Sequence, residues 1–137
     1  MALDYGRRRI GVAVSDPTGT IASPRGVVDR AGPALPGKLL ELVADVRPCV
    51  ILVGIPFNMD WSAGEMAEEA REFAARLGAA TGVPTEEWDE RLTTARAERE
   101  ITSLGLKRSQ RTKKGRSDEM AATLMLTDYL RSREGSA

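Results

Sequence analysis

The stretch ALDYGRRRIGVAVS, residues 2–15, decides the fold. Ala2–Tyr5 is an extended pattern, and from residue 10 to residue 15 apolar side chains alternate with small ones, as in a strand. The glycine and three arginines of residues 6–9 separate the two patterns and predict a tight turn. The chain is therefore expected to begin with an antiparallel pair of strands.

A third strand is predicted near residues 20–28, at a sheet edge or interrupted, because Pro24 cannot donate a ladder hydrogen bond. Apolar residues then recur at helical spacing until Pro48 ends the helix. The apolar run 49–53 is typical of a strand covered on both faces, so Cys49 is expected to be buried as a small hydrophobic residue.

The second half of the chain alternates helices and strands. Ser62 and the glutamate three residues later form a capping box for a helix that ends at Gly78 or Gly82. Apolar residues at helical spacing form one stripe along this helix: Met66, Ala70, Phe73, Ala74 and Leu77. A short strand follows at 84–89, and later helices are predicted from Thr93 or Thr94 towards Leu104 and from Ser117. This order predicts one α/β domain over residues 1–137, with a mixed sheet whose first strands are antiparallel and whose faces carry helices.

Composition excludes several classes of function. Among the 137 residues, 20 basic side chains balance 20 acidic ones, histidine is absent and Cys49 is the single cysteine. Histidine-based triads, zinc fingers and disulfide frameworks are therefore excluded. No apolar stretch is long enough to span a bilayer and no signal sequence is evident, which predicts a cytoplasmic protein without membrane contact.

Three acidic residues stand out by position. Asp4 lies among apolar neighbours in the first strand, where a carboxylate needs a cation or hydrogen-bond donors. Glu90 comes at the carboxyl end of the 84–89 strand and shares the parity of Trp88. Asp118 follows a helix cap, where the helix dipole favours an ionised carboxylate. Each acid alone could be a turn anchor, a surface acid or a cap extension.

If the three acids converge, each pair about 4 Å apart repels by roughly 4 kcal/mol at an effective dielectric of 20. A cation is then needed to hold them together. Oxygen ligands without histidine or cysteine suit Mg²⁺ or Mn²⁺, and two such ions can catalyse phosphodiester hydrolysis.

Basic residues cluster immediately before Asp118. Six cations and no acid occur between residues 107 and 116, and such a loop can bind phosphates without reading sequence. The six are Lys107, Arg108, Arg111, Lys113, Lys114 and Arg116. Arg7 and Arg8 are further candidates for phosphate contact, and Gly6 allows close backbone approach to a ligand.

Four motifs in this order resemble a known family. They are ALDYG at 2–6 with RIGVA at 9–13, VGIPFNMD at 53–60, DERLTT at 89–94, and the lysine pair 113–114 ahead of Asp118 and the alanine pair 121–122. The chain resembles the YqgF/RuvX family of Holliday-junction resolvases, whose members are also assigned as nucleases that mature the small-subunit (16S) ribosomal RNA precursor. The resemblance extends from Ala2 to about Leu130.

The resemblance implies a ribonuclease-H-like fold in which Asp4, Glu90 and Asp118 hold the metal ions as catalytic residues. It also implies that Arg91 and the basic loop bind the nucleic-acid backbone and that Asn58 positions the substrate. The first strand is short at its amino end, so Asp4 is expected to be held less firmly than in a longer strand.

Alternatives remain open at this point. Domains of this fold also serve as non-catalytic nucleic-acid-binding modules. The first motif is similar to the phosphate hairpin of actin-like and sugar-kinase-like phosphotransferases, which need two such domains. Branched DNA and precursor ribosomal RNA are both candidate substrates. A monomer suffices for RNA trimming, whereas paired nicks in a junction need a homodimer.

Overall fold

A mixed five-stranded sheet, with the strand order β3-β2-β1-β4-β5, forms the centre of the computed structural model. The structure describes residues 1–32, 34–55, 61–89 and 116–134, with the backbone alone described at 61–63, 116–118 and 134. The elements are β1 (Ala2–Tyr5), β2 (Arg9–Ser15), β3 (Ala22–Asp29), α1 (Gly37–Val46), β4 (Ile51–Ile55), α2 (Trp61–Thr81), β5 (Thr85–Asp89) and α3 (Arg116–Glu134).

The sheet has the predicted mixed character. β1 and β2 pair antiparallel, as do β2 and β3, whereas β1, β4 and β5 run parallel to one another. The carboxyl ends of the three parallel strands therefore meet at one edge of the sheet, which is where α/β proteins place their ligands. The α/β prediction with antiparallel first strands is confirmed.

β3 is an edge strand, as Pro24 predicted. Its register with β2 shifts between Gly26, which pairs with Val12, and Pro24, which pairs with Ala13. Arg25 is the extra residue of this bulge. A bulge and a proline on an edge strand both hinder pairing with another chain.

One face of the sheet carries α1 and α2. The apolar stripe predicted for α2 is buried here: Ala70 and Leu77 are fully buried and Phe73 is 1% exposed. Of the two glycines proposed to end this helix, Gly82 does so, because it follows the last helical residue with φ +75°. Its N–H donates to the Gly78 carbonyl at 2.8 Å.

The opposite face carries α3. Ala122, Met125 and Leu126 of this helix pack with Ala2 and Leu52 in a second core cluster. The sheet thus separates two cores, and β1 contributes side chains to both.

Two helix starts differ from the prediction by two residues. α2 begins at Trp61 and α3 at Arg116, so Ser62 and Ser117 are each the second helical residue instead of the cap. The end of a helix defined by its hydrogen bonds commonly differs by one or two residues from the end that the sequence indicates. The helix predicted from Thr93 or Thr94 lies outside the described residues.

The expectation for Cys49 is wrong, because the residue is exposed. The chain leaves α1 through Arg47, which has left-handed backbone angles with φ 52°, and β4 starts only at Ile51. Cys49 therefore belongs to the connecting loop and not to the buried strand. Among the described residues, no helix combines the length and apolarity needed to cross a membrane.

Candidate active site at the carboxyl edge of the sheet

Asp4 lies at the centre of the sheet, on β1, between two glycines. It pairs with Gly11 of β2 on one side and with Gly54 of β4 on the other. Asp4 has the parity of Ala2, whose side chain belongs to the core beneath α3, so its half-buried carboxylate lies on the α3 face. Glycine inside a strand is common where a ligand or backbone approaches closely, and neither of these two carries a side chain beside the carboxylate.

β1, which carries Asp4, is hydrogen-bonded from its first residues. The strand is hydrogen-bonded on both sides, and Met1 is buried. The Met1 carbonyl accepts the Leu52 N–H at 2.9 Å, and its amino group donates to the Val50 carbonyl at 3.2 Å. These bonds hold the amino end of β1 against β4, and how firmly Asp4 is held stays a prediction.

The residue after Asp4 faces the other core. Tyr5 is buried against Phe73, with ring centroids 4.9 Å apart. Burial raises the pKa of the Tyr5 hydroxyl, so the ring stays neutral at physiological pH. The Arg30 guanidinium lies over the same ring at 4.5 Å. Asp4 and Tyr5 therefore face opposite sides of the sheet, and the Tyr5 side is fixed by packing.

The structure describes the other two predicted acids only in part. Glu90 lies outside the described residues, one position beyond Asp89 at the end of β5. Asp118 is the third residue of α3, and of this residue the backbone alone is described. Among the side chains that the structure does describe, no three acids or thiols form a cluster able to bind a metal ion. Their convergence with Asp4 stays a prediction.

α3 nevertheless places its first turn on the face of the sheet to which Asp4 belongs. Asp118 lies one helical turn before Ala122, which is fully buried against the sheet in the same cluster as Ala2. Asp4 and the backbone of Asp118 therefore belong to the same side of the sheet.

The predicted turn at residues 6–9 follows directly. The Gly6 N–H donates to the Arg9 carbonyl at 3.0 Å, and a Cβ on Gly6 would lie 2.7 Å from that oxygen. This position therefore requires glycine for the turn itself. Arg7 and Arg8 are exposed beside the carboxyl end of β1, where phosphate contact was predicted.

The remaining predicted site residues fall outside what the structure describes. They are Asn58, Arg91 and the cations of the basic loop: Lys107, Arg108, Arg111, Lys113 and Lys114. Arg116 is the first residue of α3, with its backbone alone described.

Sequence reasoning missed two kinds of residue. The glycines that flank Asp4 were visible as Gly11 and Gly54 inside strand patterns, a recognised sign of close approach. Their alignment with Asp4 requires the register, which the sequence does not state. The second is Arg30, which follows β3 and hydrogen-bonds the turn at residues 6–9, the arginine turn. No local motif marks this residue.

Comparison with known sequences agrees with these observations. A family model described as "RuvX: Holliday junction resolvase" matches residues 1–132. The chain is 42% identical over 134 residues to a protein of Pelotomaculum thermopropionicum named "Putative pre-16S rRNA nuclease", covering 96% of this chain and 86% of that one. A protein of Halothermothrix orenii with the same name is 40% identical over 131 residues, covering 95% and 92%.

Comparison with solved structures identifies the fold. RuvC of Thermus thermophilus in complex with a Holliday junction substrate superposes with a TM-score of 0.62 at 20% identity, covering 98% of this chain and 94% of that one. A second Thermus thermophilus RuvC structure gives a TM-score of 0.61. The predicted ribonuclease-H-like fold is confirmed.

Proposed function

This chain belongs to the RuvX family, and from that premise we propose that it is a divalent-metal-dependent nuclease that cleaves phosphodiester bonds in structured nucleic acid. The observation that carries the proposal is the position of Asp4. Its half-buried carboxylate lies between two glycines in the centre of the sheet, on the face that carries α3. A carboxylate in such a place needs a cation or strong donors nearby.

The residues fit Mg²⁺ or Mn²⁺. Asp4, Glu90 and Asp118 offer carboxylate oxygens alone, the donors that these hard ions prefer, and the glycines that pair with Asp4 carry no side chains. Two ions bound there would supply Lewis acidity for in-line hydrolysis of a phosphodiester. Asp4 and Asp118 would approach from the sheet and the helix, and Glu90 from the end of β5.

The basic residues would hold the nucleic-acid backbone. In the proposal Arg7, Arg8 and Arg91 bind phosphates together with the loop at 107–116, and Asn58 orients the strand to be cut. Gly6 lets the backbone of the turn approach a phosphate. Arginine matches phosphate oxygens with two parallel N–H bonds, so it also fixes the direction of approach.

Phosphate contacts carry no base information, so two substrates fit the proposal. A four-way DNA junction would place the protein in recombination and repair, and a 16S ribosomal RNA precursor would place it in ribosome biogenesis. Junction resolution requires a homodimer with two sites, whereas trimming of an RNA end requires one site.

The test is Asp4→Asn, which keeps the shape of the side chain and removes its charge. We expect cleavage of a synthetic four-way junction or of a 16S precursor fragment, in Mg²⁺ or Mn²⁺, to fall at least about 100-fold, since even the loss of a residue that supports a metal ligand costs 10–100-fold. Calorimetric Mn²⁺ binding should weaken in parallel.

Asp45→Asn, an exposed acid on α1, is the matched control and should cut like the wild type. Unchanged cleavage by Asp4→Asn would refute the site. A wild-type protein that binds both nucleic acids and cuts neither with either metal would refute the nuclease and favour a non-catalytic binding module.

A further inference from the structure

Arg30 bonds three successive carbonyls of the arginine turn. Its Nη1 donates to the carbonyls of Gly6 at 2.8 Å and of Arg7 at 3.0 Å. Its backbone N–H donates to the carbonyl of Arg8 at 2.8 Å. Arg30, which directly follows β3, therefore holds the carbonyls of all three turn residues that precede Arg9.

Arg30 is itself held in place. It is half-buried, and its guanidinium lies 4.5 Å from the centroid of the buried Tyr5 ring. A cation–π contact attracts the guanidinium to the face of the ring. With the guanidinium on that face, its Nη1 donates to two carbonyls of the turn.

The bonds have a consequence for the arginines of the turn. Two cations in adjacent exposed positions repel, and a loop of this length could otherwise adopt several backbone conformations. The carbonyls of Arg7 and Arg8 are tied to Arg30, and both arginine residues are exposed.

The turn also contacts α2. Arg7 Nε donates to the Met66 sulfur at 3.1 Å. A thioether is a weak acceptor, and a phosphate oxygen is a far stronger one, so nucleic acid would displace this contact. Met66 thus keeps Arg7 near the carboxyl edge of the sheet through a bond that is weak enough for a phosphate oxygen to replace.

We propose that Arg30 is a positioning residue that fixes the 6–9 turn so that Arg7 and Arg8 present a cationic pair of set geometry to a nucleic-acid backbone phosphate at the carboxyl edge of the sheet. The inference rests on the proposed function. Arg30 acts through the turn and does not itself contact the nucleic acid. Lysine could not replace it, because an ammonium lacks the planar fork and the stacking face of a guanidinium.

The experiment is a double-mutant cycle on binding of a synthetic four-way DNA junction in metal-free buffer, with Kd measured at several salt concentrations. Arg30→Lys keeps the net charge, and we expect it to weaken binding about tenfold, within the range of coupled neighbouring residues. Arg7→Gln with Arg8→Gln should weaken binding. It should also reduce the dependence of log Kd on log salt concentration by the amount expected for roughly two phosphate contacts. Adding Arg30→Lys to that pair should cause little further loss.

Lys38→Gln, an exposed cation in the first turn of α1, is the control for loss of charge and should leave the salt slope nearly unchanged. Hydrogen exchange gives a second readout that does not depend on nucleic acid. In Arg30→Lys the amides of Gly6 and Arg30 should exchange faster, while the Ile51 amide, bonded to the Pro84 carbonyl, should not change.

Three results would overturn the inference. Wild-type affinity and exchange in Arg30→Lys would show that the turn does not need Arg30. Equal loss with and without the arginines of the turn would show that Arg30 binds phosphate itself. If the wild type binds no junction DNA and no structured RNA, the proposed function fails and this inference with it. In the first two cases the proposed function stands.

Discussion

At the scale of single residues, Asp16 shows how one carboxylate can close a loop. Its Oδ1 accepts the N–H of Thr20 at 2.7 Å and of Ile21 at 2.8 Å, and its Oδ2 accepts the Thr18 hydroxyl. The Ile21 N–H, then the Thr18 hydroxyl, then the Thr20 N–H lower the pKa of Asp16 from 3.8 to about 2. The loop between β2 and β3 therefore depends on an ionised side chain.

Stability should consequently depend on pH through Asp16. A carboxyl group whose pKa falls on folding contributes stability above its unfolded pKa, and that contribution is lost as pH falls towards the folded value. We expect Asp16→Asn to lower Tm at about pH 6, and the difference from wild type to shrink between about pH 4 and pH 2. Thermal unfolding across this range and an NMR titration of the Asp16 carboxyl would check it. A titration midpoint near 4 would contradict it.

At the scale of elements, α2 supports the strand that carries Asp4. Phe73 of this helix is 1% exposed and packs on Tyr5, the neighbour of Asp4. Ala67, Ala70 and Leu77 extend the same stripe and are also buried. The helix therefore fixes β1 from the face opposite the carboxylate.

Phe73→Ala should be the most damaging truncation on this helix. Removing a buried phenylalanine ring costs about 3–5 kcal/mol, the sum of lost transfer free energy and the cavity left behind. Glu68→Ala, on the exposed side of α2, should stay within about 0.5 kcal/mol of wild type. Urea unfolding of both variants measures the difference. Equal free energies of unfolding would show that the ring does not hold α2 to β1.

At the scale of the whole molecule, the helices, the strands and their buried faces were easier to predict from the sequence than the register in which the strands pair. The strands, the α2 stripe and the place of Asp118 in the first turn of a helix followed from periodicity and cap signals. The glycines beside Asp4 did not, because only the register aligns Gly11 and Gly54 with it. The bonds made by Arg30 depend on carbonyl positions that no side-chain pattern encodes. The convergence of Glu90 and Asp118 with Asp4, and the extent of the domain over 1–137, stay predictions.

The docking of α3 ties the two ends of the chain together. Ala122 is fully buried against the sheet, and the overpacking caused by Ala122→Leu should cost about 1–3 kcal/mol and displace the helix. Because Asp118 lies one turn away, Mn²⁺ affinity and cleavage should fall as well.

Ala75→Leu places the same added volume on the exposed side of α2 and should change neither property. The readouts are calorimetric Mn²⁺ titration, cleavage rate and urea unfolding. If Ala122→Leu lost stability with Mn²⁺ affinity intact, α3 would not carry a ligand of the site.

The two hydrophobic clusters on opposite faces of the sheet give protein engineers a practical freedom. Rigidifying changes can be confined to the layer under α1 and α2, where most of the largest fully buried side chains lie, without touching the layer that borders the carboxylate. A heat-resistant version with unaltered chemistry should be reachable from that side alone, whereas the same effort spent beneath α3 would trade turnover for robustness.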